Sequence, residues 1–305
     1  MSIATYHIPV LAGAVAALAA GVRRAVDATV GGGGHAALLL EAGAEVLAAD
    51  RDPEAIAAAR ARLPEGRVRF HLGRLGAPDL LATVRQFRPD LILLDLGVSS
   101  RQLDEDERGF SFRPGVPLDM RMTAGTGPDA ARVLNTLPDT DLRAIFHDLA
   151  DEPRARKLAA VIARRRSSKQ FRVSDDLVNA IREALGARSG PSDFARLFQA
   201  VRMAVNHEVG ELNVALPAML EALEPGGAFA VITYHSGEDR LVKQSFREWA
   251  SNCICPPRQP VCTCRGRALG RLEPRKPILP GTLEVSDNPR ARSAKLRIFR
   301  VADAL

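Results

Sequence analysis

The run Gly31-Gly32-Gly33-Gly34 constrains this chain more than any other feature, because of what flanks it. Upstream, "RRAVDATV" is a short apolar stretch with an acid near its end, and downstream "HAALLLEAG" is a run of helix formers. A strand that passes into bare backbone and emerges as a helix brings N–H groups close to a ligand. Glycine tolerates both that approach and the positive φ angles it demands. The spacing Gly31-x-Gly33-x-x-Ala36, with Asp50 at the end of the next apolar run, formally satisfies the dinucleotide fingerprint.

The following residues repeat the alternation. "EVLAAD" reads as a second strand and "DPEAIAAARARL" as a helix with Asp52 as N-cap and Pro53 in its first turn. "RVRFHLG" is a third strand, "DLLATVRQF" a helix, and "PDLILLDLG" a fourth strand whose continuous apolar run suits burial on both faces. Strands alternating with helices predict an α/β fold with a doubly wound, Rossmann-like parallel sheet, whose ligands bind beyond the strand C-termini. The glycines, Asp27, Asp50 and Asp95 all lie at such ends.

From about Glu105 the pattern changes to a loop, "ERGFSFRPGVPLDMRM", and then to helices without strands, one of them opening with Ser174 as cap in "VSDDLVNAIREAL". Leu197, Val201, Val205, Val209, Leu212, Leu216 and Leu220 then mark one long helix, and "GGAFAVITY" a further strand. The expected organisation is a sheet domain over residues 1–104 and 196–305, interrupted by an all-helical insertion over 105–195.

Charge is unevenly spread. Residues 153–172 hold eight Arg or Lys and no acid, and residues 258–300 hold eleven against three acids. Each island carries +8 while the whole chain carries +6, so everything else sums to −10. Two basic islands on an otherwise acidic chain point to a polyanion such as nucleic acid, whose phosphates they would neutralise. The competing reading is solvated helix faces.

The apolar run over residues 8–22, "IPVLAGAVAALAAGV", has the length of a secretion-signal core, yet no Lys or Arg precedes it and it is too short to span a bilayer. It reads as a buried helix, and the protein as cytoplasmic with no membrane partner. All four cysteines fall in "CICPPRQPVCTC", a clustering that argues for metal or redox chemistry over a disulfide framework. Structural zinc sites use C-x-x-C pairs, whereas C-x-C strains chelation by both sulfurs, so a reduced thiol loop is favoured, zinc on Cys253, Cys255, Cys262 and Cys264 stays the alternative, and no metal ligand is assigned.

The glycine loop leaves two cofactor classes open, a dinucleotide or S-adenosylmethionine. Asp27, unless it is only a loop or helix-capping acid, tips the balance toward the second. A pyrophosphate beside a carboxylate in a partly desolvated cleft is repelled, whereas the sulfonium and ammonium of the methyl donor are attracted. Asp50 would accept hydrogen bonds from ribose hydroxyls under either reading. Asp95, an acid ending a buried strand, is an active-site candidate. In "YHSGEDR", Ser236 and Asp239 form a plausible capping box, and His235 is an orienting candidate facing the same crevice.

These segments, taken in order, closely resemble the ribosomal RNA small-subunit methyltransferase H (MraW) family. The matching stretches are "HIPVL", "DATVGGGGH", "DRDP", "LLDLGVSSRQLD", "RGFSF", "PLDMRM", "FQAVRMAVNHE", "YHSGEDRLVK" and "NPRARSAKLR". The resemblance implies a class I methyltransferase sheet, S-adenosylmethionine as cofactor, and methylation of a cytidine N4 in 16S ribosomal RNA of the small subunit. Its cofactor contacts fall on Gly33, Gly34, His35, Asp50, Leu75, Asp95 and Gln102. This chain departs from the family at Leu75, where an aromatic is common, at Arg101 in place of proline, and at Tyr234 and Gly237 in place of phenylalanine and leucine.

The reaction expected from these residues assigns Asp95, or a carbonyl in the turn after it, to accept a hydrogen of the target amine. Phe110 and Phe112 are candidates to stack on an extruded base, against a competing role in packing. Two other functions compete. A dinucleotide oxidoreductase leaves the basic islands unexplained, and a non-catalytic RNA-binding protein would be expected to have lost Asp50 or Asp95.

Overall fold

In a computed structural model, which describes residues 9–256, 259 and 261–303, the chain begins α1 (Ala12–Leu18), β1 (Arg24–Asp27), α2 (Gly34–Glu41), β2 (Glu45–Asp50), α3 (Pro53–Arg62), β3 (Val68–Leu72), α4 (Pro78–Phe87) and β4 (Leu91–Asp95). Helices follow: α5 (Ser100–Asp104), α6 (Ala130–Thr136), α7 (Asp139–Ala144), α8 (Ala155–Ser168), α9 (Ser174–Leu185), α10 (Pro191–Asn206) and α11 (Glu208–Ala222). The chain closes with β5 (Ala228–Thr233), α12 (Ser236–Trp249), β6 (Gly270–Leu272), α13 (Thr282–Asp287) and β7 (Lys295–Val301). His7 and Ile8, which begin stretches singled out above, and Arg258 of the second basic island lie outside the described residues.

The strands form one sheet in the order β3-β2-β1-β4-β5-β7-β6, parallel from β3 through β5, with β7 antiparallel to β5 and β6. Alternation along each strand feeds two cores. Val26, Leu47, Ile92, Leu94, Phe229, Val231 and Phe299 pack against α4, α11 and α12, while Ala25, Val46, Leu91, Leu93, Ala230 and Ile298 pack against α1, α2 and α3. Burial on both faces is why β4 reads as an unbroken apolar run. The doubly wound sheet expected from the sequence is thus present, with the reversal of strand order between β1 and β4.

The N-terminal run differs from its expectation. Only seven residues are helical, and Leu11, Val15 and Ala19 are buried while Gly13, Ala16 and Ala17 are exposed, so α1 is a surface helix with one inward face. Among the described residues no helix is long and apolar enough to cross a membrane.

Two compact units divide the chain at Gly97/Val98 and Val209/Gly210, rather than at the expected 104/105 and 195/196. The second boundary moves because the expected long helix is two helices, broken at His207 with φ of 54°. Buried Asn206 ends α10 by donating to Met120 O at 2.8 Å and accepting from Met122 N at 2.8 Å. Leu197, Val201 and Val205 therefore belong to the helical core, and Leu212, Leu216 and Leu220 to the sheet core.

Within the helical unit, Phe110 is buried and Phe112 meets Phe194 and Phe198 edge-on, each with ring centroids 6.0 Å away. These rings pack into the unit's own core, the competing role weighed above against stacking on a base. Ser174 is the first helical residue of α9 and not its cap. Its hydroxyl donates to Arg113 O, while Asp176 accepts from Arg172 N and Val173 N at 2.9 and 3.1 Å.

Gly109 in "RGFSF" adopts φ of 76°, and a Cβ there would lie 2.5 Å from Pro117 O and 2.6 Å from Asp119 N, both backbone atoms that cannot swing aside. Gly109→Ala is expected to destabilise the fold by about 3 kcal/mol. Urea unfolding would detect this as a lower midpoint at unchanged slope.

Candidate active site at the strand C-termini

Asp27, Asp50 and Asp95 are the last residues of β1, β2 and β4, so parallel pairing brings their carboxylates to one edge of the sheet. The glycine loop folds over this edge by bonding to them. Gly31 N donates to Asp50 Oδ2 and Asp52 N to Asp50 Oδ1, both at 2.9 Å. Thr29 links the other two acids: its N–H donates to Asp27 Oδ1 at 3.3 Å, and its hydroxyl accepts from Asp95 N at 2.6 Å. Asp52 caps α3 as expected, accepting from Glu54 N at 3.0 Å.

Gly33 has φ of 79° and immediately precedes α2, and a Cβ on it would press within 3.2 Å of Leu63. The first turn of α2 directs N–H groups of Gly34 and His35 outward from the helix end, where no intrahelical acceptor exists. His35 is buried. Its Nε2 meets Val10 O at 2.8 Å, and since a carbonyl only accepts, Nε2 carries the proton and Nδ1 faces Asp95 Oδ2 at 3.6 Å.

Asp95 also accepts the Tyr234 hydroxyl on Oδ1 at 2.9 Å. Burial raises the Asp95 carboxyl above the ordinary range, opposed by attraction to His35 and by the Tyr234 bond. Burial and the adjacent Asp95 push the Tyr234 phenol up in turn, so it acts as a donor. Asp50 is raised by burial, against bonds from the N–H groups of Asp52 and Gly31.

Asp27 is 1% exposed and its Oδ2 has no hydrogen-bond partner among the described residues. Burial raises its carboxyl to about 7; attraction to His35 and the Thr29 N–H oppose this, and repulsion from Asp95 and Asp50 adds to it. An unsatisfied buried carboxylate is costly, and a cationic ligand group relieves that cost. The sulfonium and ammonium of S-adenosylmethionine fit this acid, whereas a pyrophosphate does not.

Leu75 follows β3 in a loop anchored at both ends. Gly73 N bonds Asp50 O at 2.9 Å, and Gly76 N bonds Glu211 Oε2 at 2.7 Å, with Arg74 pairing the other Glu211 oxygen at 3.1 Å. The sheet unit therefore carries Gly33, Gly34, His35, Asp50, Leu75 and Asp95. Gln102 belongs to the helical unit, where it is buried and exchanges bonds with Ser99, its Oε1 accepting from Ser99 N at 3.0 Å.

Residues 4–302 match the profile of the MraW methylase family. The chain belongs to the MraW methylase family. It is 52% identical over 302 residues to the "Ribosomal RNA small subunit methyltransferase H" of Gemmatimonas aurantiaca, covering 98% of this chain and 96% of that one. The protein of the same name from Heliobacterium modesticaldum is 43% identical over 304 residues, covering 96% and 97%. A solved rRNA methylase from Streptococcus thermophilus is 13% identical with a TM-score of 0.39, covering 95% of this chain and 93% of that one.

Several residues of this site escaped the sequence. Thr29 lies within the matching stretch "DATVGGGGH", but nothing in the sequence marks its bonds to Asp27 and Asp95. Tyr234 was visible only as a departure from the family's phenylalanine, and its added hydroxyl reaches Asp95. At the β5 end, His235 pairs with Glu238 at 2.9 Å. The expected capping box of Ser236 and Asp239 is absent as such, because Asp239 turns instead to Arg297 at 2.7 and 3.1 Å and Lys295 at 3.3 Å.

Proposed function

We propose that this chain transfers a methyl group from S-adenosylmethionine to the N4 amine of a cytidine in 16S ribosomal RNA of the small subunit. The observation that carries the cofactor half is the buried Asp27 carboxylate, with an oxygen left for a cation. The substrate half rests on the family and on the names its relatives bear.

In this reading Asp27 attracts the cationic amino-acid end of the cofactor, and the N–H groups of Gly34 and His35 face its carboxylate. Asp50 accepts the ribose hydroxyls with the lone pairs not used by Gly31 and Asp52. Leu75 supplies an apolar surface for the adenine. Gln102, in the helical unit, is a further contact implied by the family resemblance alone. When bound, the cofactor supplies an electrophilic methyl group.

The chain's own task is to prepare the amine. The lone pair of cytosine N4 is delocalised into the ring, and an acceptor for its hydrogens draws the nitrogen toward a tetrahedral form. Asp95 is that acceptor and takes the proton that N4 sheds. The Tyr234 hydroxyl holds one carboxylate oxygen in place, leaving the other, beside His35, to work.

The basic islands are the proposed RNA-binding surfaces, although several of their charges are already paired. Arg164 and Arg165 both engage Glu183, Arg166 lies 3.4 Å from Asp139, Lys169 is 2.8 Å from Asp176, and Arg297 holds Asp239. Fewer phosphates are therefore neutralised than a count of basic residues suggests. RNA affinity should still fall steeply between 50 and 200 mM salt, by roughly tenfold or more. A flat response in filter binding would remove the islands from RNA contact.

The deciding experiment incubates the protein with methyl-labelled S-adenosylmethionine and small ribosomal subunits lacking the modification, followed by nucleoside mass spectrometry. Labelled N4-methylcytidine is the expected product. Label on carbon or on another base would overturn the N4 assignment.

A further inference from the structure

We propose that Cys253, Cys255, Cys262 and Cys264 form a tetrathiolate site for one zinc ion. The four Sγ atoms all lie within 4.8 Å of one another. The separations are 3.9 Å for Cys253–Cys262, 3.8 Å for Cys255–Cys262, 3.5 Å for Cys262–Cys264 and 3.9 Å for Cys253–Cys264. A tetrahedral zinc with bonds of about 2.3 Å to sulfur holds its sulfurs about 3.8 Å apart. Disulfide bonding, at about 2.05 Å, is a different geometry, and all four cysteines are free.

Apolar packing does not explain the convergence. None of the four is buried and none belongs to a hydrophobic core, while Ile254 and Val261 within the loop are 42% and 71% exposed. Thiols gathered on an exposed loop without a core have chelation as their common purpose. The folded loop also removes the objection from C-x-C spacing. Cys262 and Cys264 approach to 3.5 Å with Thr263 between them, so both sulfurs of a pair can face one ion.

The backbone supplies an outer partner of the kind such sites need. Ile254 N donates to Cys264 Sγ across the loop at 3.4 Å. Such an N–H···S bond orients the sulfur. The stem of the loop is tied to the end of α12: Arg265 donates to Glu248 O and Ser251 O, Leu269 N to Trp249 O at 2.8 Å, and Ala268 N to Asn252 Oδ1 at 3.2 Å.

Four protein sulfurs fill the coordination sphere, so the ion has no open position for substrate or water and serves structure, not methyl transfer. It clamps the connection between α12 and β6 and holds Ile254 and Val261 outward. Tetrahedral sulfur ligation selects zinc or iron among the common metals, and a closed four-thiolate site that only clamps a loop is the structural use of zinc.

The full-length protein, purified under reducing conditions without chelator, should contain about one zinc per chain by mass spectrometry of the metal. Replacement by cobalt(II) should give the intense sulfur-to-metal charge-transfer and visible bands of a tetrahedral thiolate site. Cys255→Ser combined with Cys264→Ser should abolish both, and if that variant does not fold, the cobalt spectrum of the unaltered chain decides alone. Zinc well below stoichiometry together with no tetrahedral cobalt spectrum overturns the proposal. Iron in the isolated protein overturns the zinc assignment, and disulfides found in protein kept reduced overturn the site. None of these readouts depends on methyl transfer.

Discussion

Asp95→Asn is expected to lower the rate of methyl transfer at saturating cofactor by about 100-fold. Asparagine keeps the size of the side chain and an oxygen for the Tyr234 hydroxyl, and removes only the charge and the capacity to take a proton. The loss should therefore appear in single-turnover rate and not in folding. Should the rate at saturation persist while cofactor affinity falls, Asp95 serves the cofactor and the acceptor is a carbonyl in the turn after it. Tyr234→Phe provides an independent check through pH. The hydroxyl bond lowers the Asp95 carboxyl against the upward push of burial, so its removal lets the carboxyl rise. With Asp95 as the proposed acceptor, activity requires the ionised form and is lost as pH falls through the folded value. The acid limb of the rate profile should consequently lie above the ordinary carboxylate range and move to higher pH in Tyr234→Phe. An unmoved limb would exclude Asp95 as the titrating group.

Asp27→Asn should produce opposite effects on stability and on cofactor binding. With the carboxyl raised from 3.8 to about 7, the native chain holds a proton that the unfolded chain has already released anywhere in that window. The unfolded state binds fewer protons there, so stability falls as pH rises from about 4 to about 7. The cost is on the order of 4 kcal/mol at the upper end, from about 1.4 kcal/mol per unit. Asparagine removes that dependence, and thermal unfolding at pH 8 should show the variant to be the more stable protein without cofactor. Cofactor binding should weaken by at least tenfold in the same variant. For the unaltered chain, affinity measured by calorimetry should increase as pH rises through about 7, because ionised Asp27 attracts the cationic ligand. Equal affinity of both proteins at pH 8 would dismiss Asp27 as the cation partner.

Much of this molecule was legible in its residues. The unbroken apolar run of β4 announced a strand covered on both faces, Asp52 and Pro53 announced the start of α3, and the glycines before α2 announced a backbone approached by a ligand. Each signal is local, since side-chain periodicity, capping and glycine conformation act over a few residues. The family motifs were equally plain because they are contiguous words. The break between α10 and α11 was not legible. Apolar spacing ran on through it, and what ends α10 is Asn206 bonding backbone 84 and 86 residues away. The strands β6 and β7 and the diversion of Asp239 to Arg297, 58 residues on, were hidden for the same reason.

The site divides along the same line. Sequence by itself determined which acids end the strands, and therefore that a cationic ligand was favoured over an anionic one. Tertiary structure alone decided that Tyr234 meets Asp95 across 139 residues, that Asp27 keeps one oxygen without a partner among the described residues, and that four cysteine sulfurs converge. Those outcomes depend on where distant segments come to rest when the sheet closes, and on the burial that closure imposes, which no local pattern encodes.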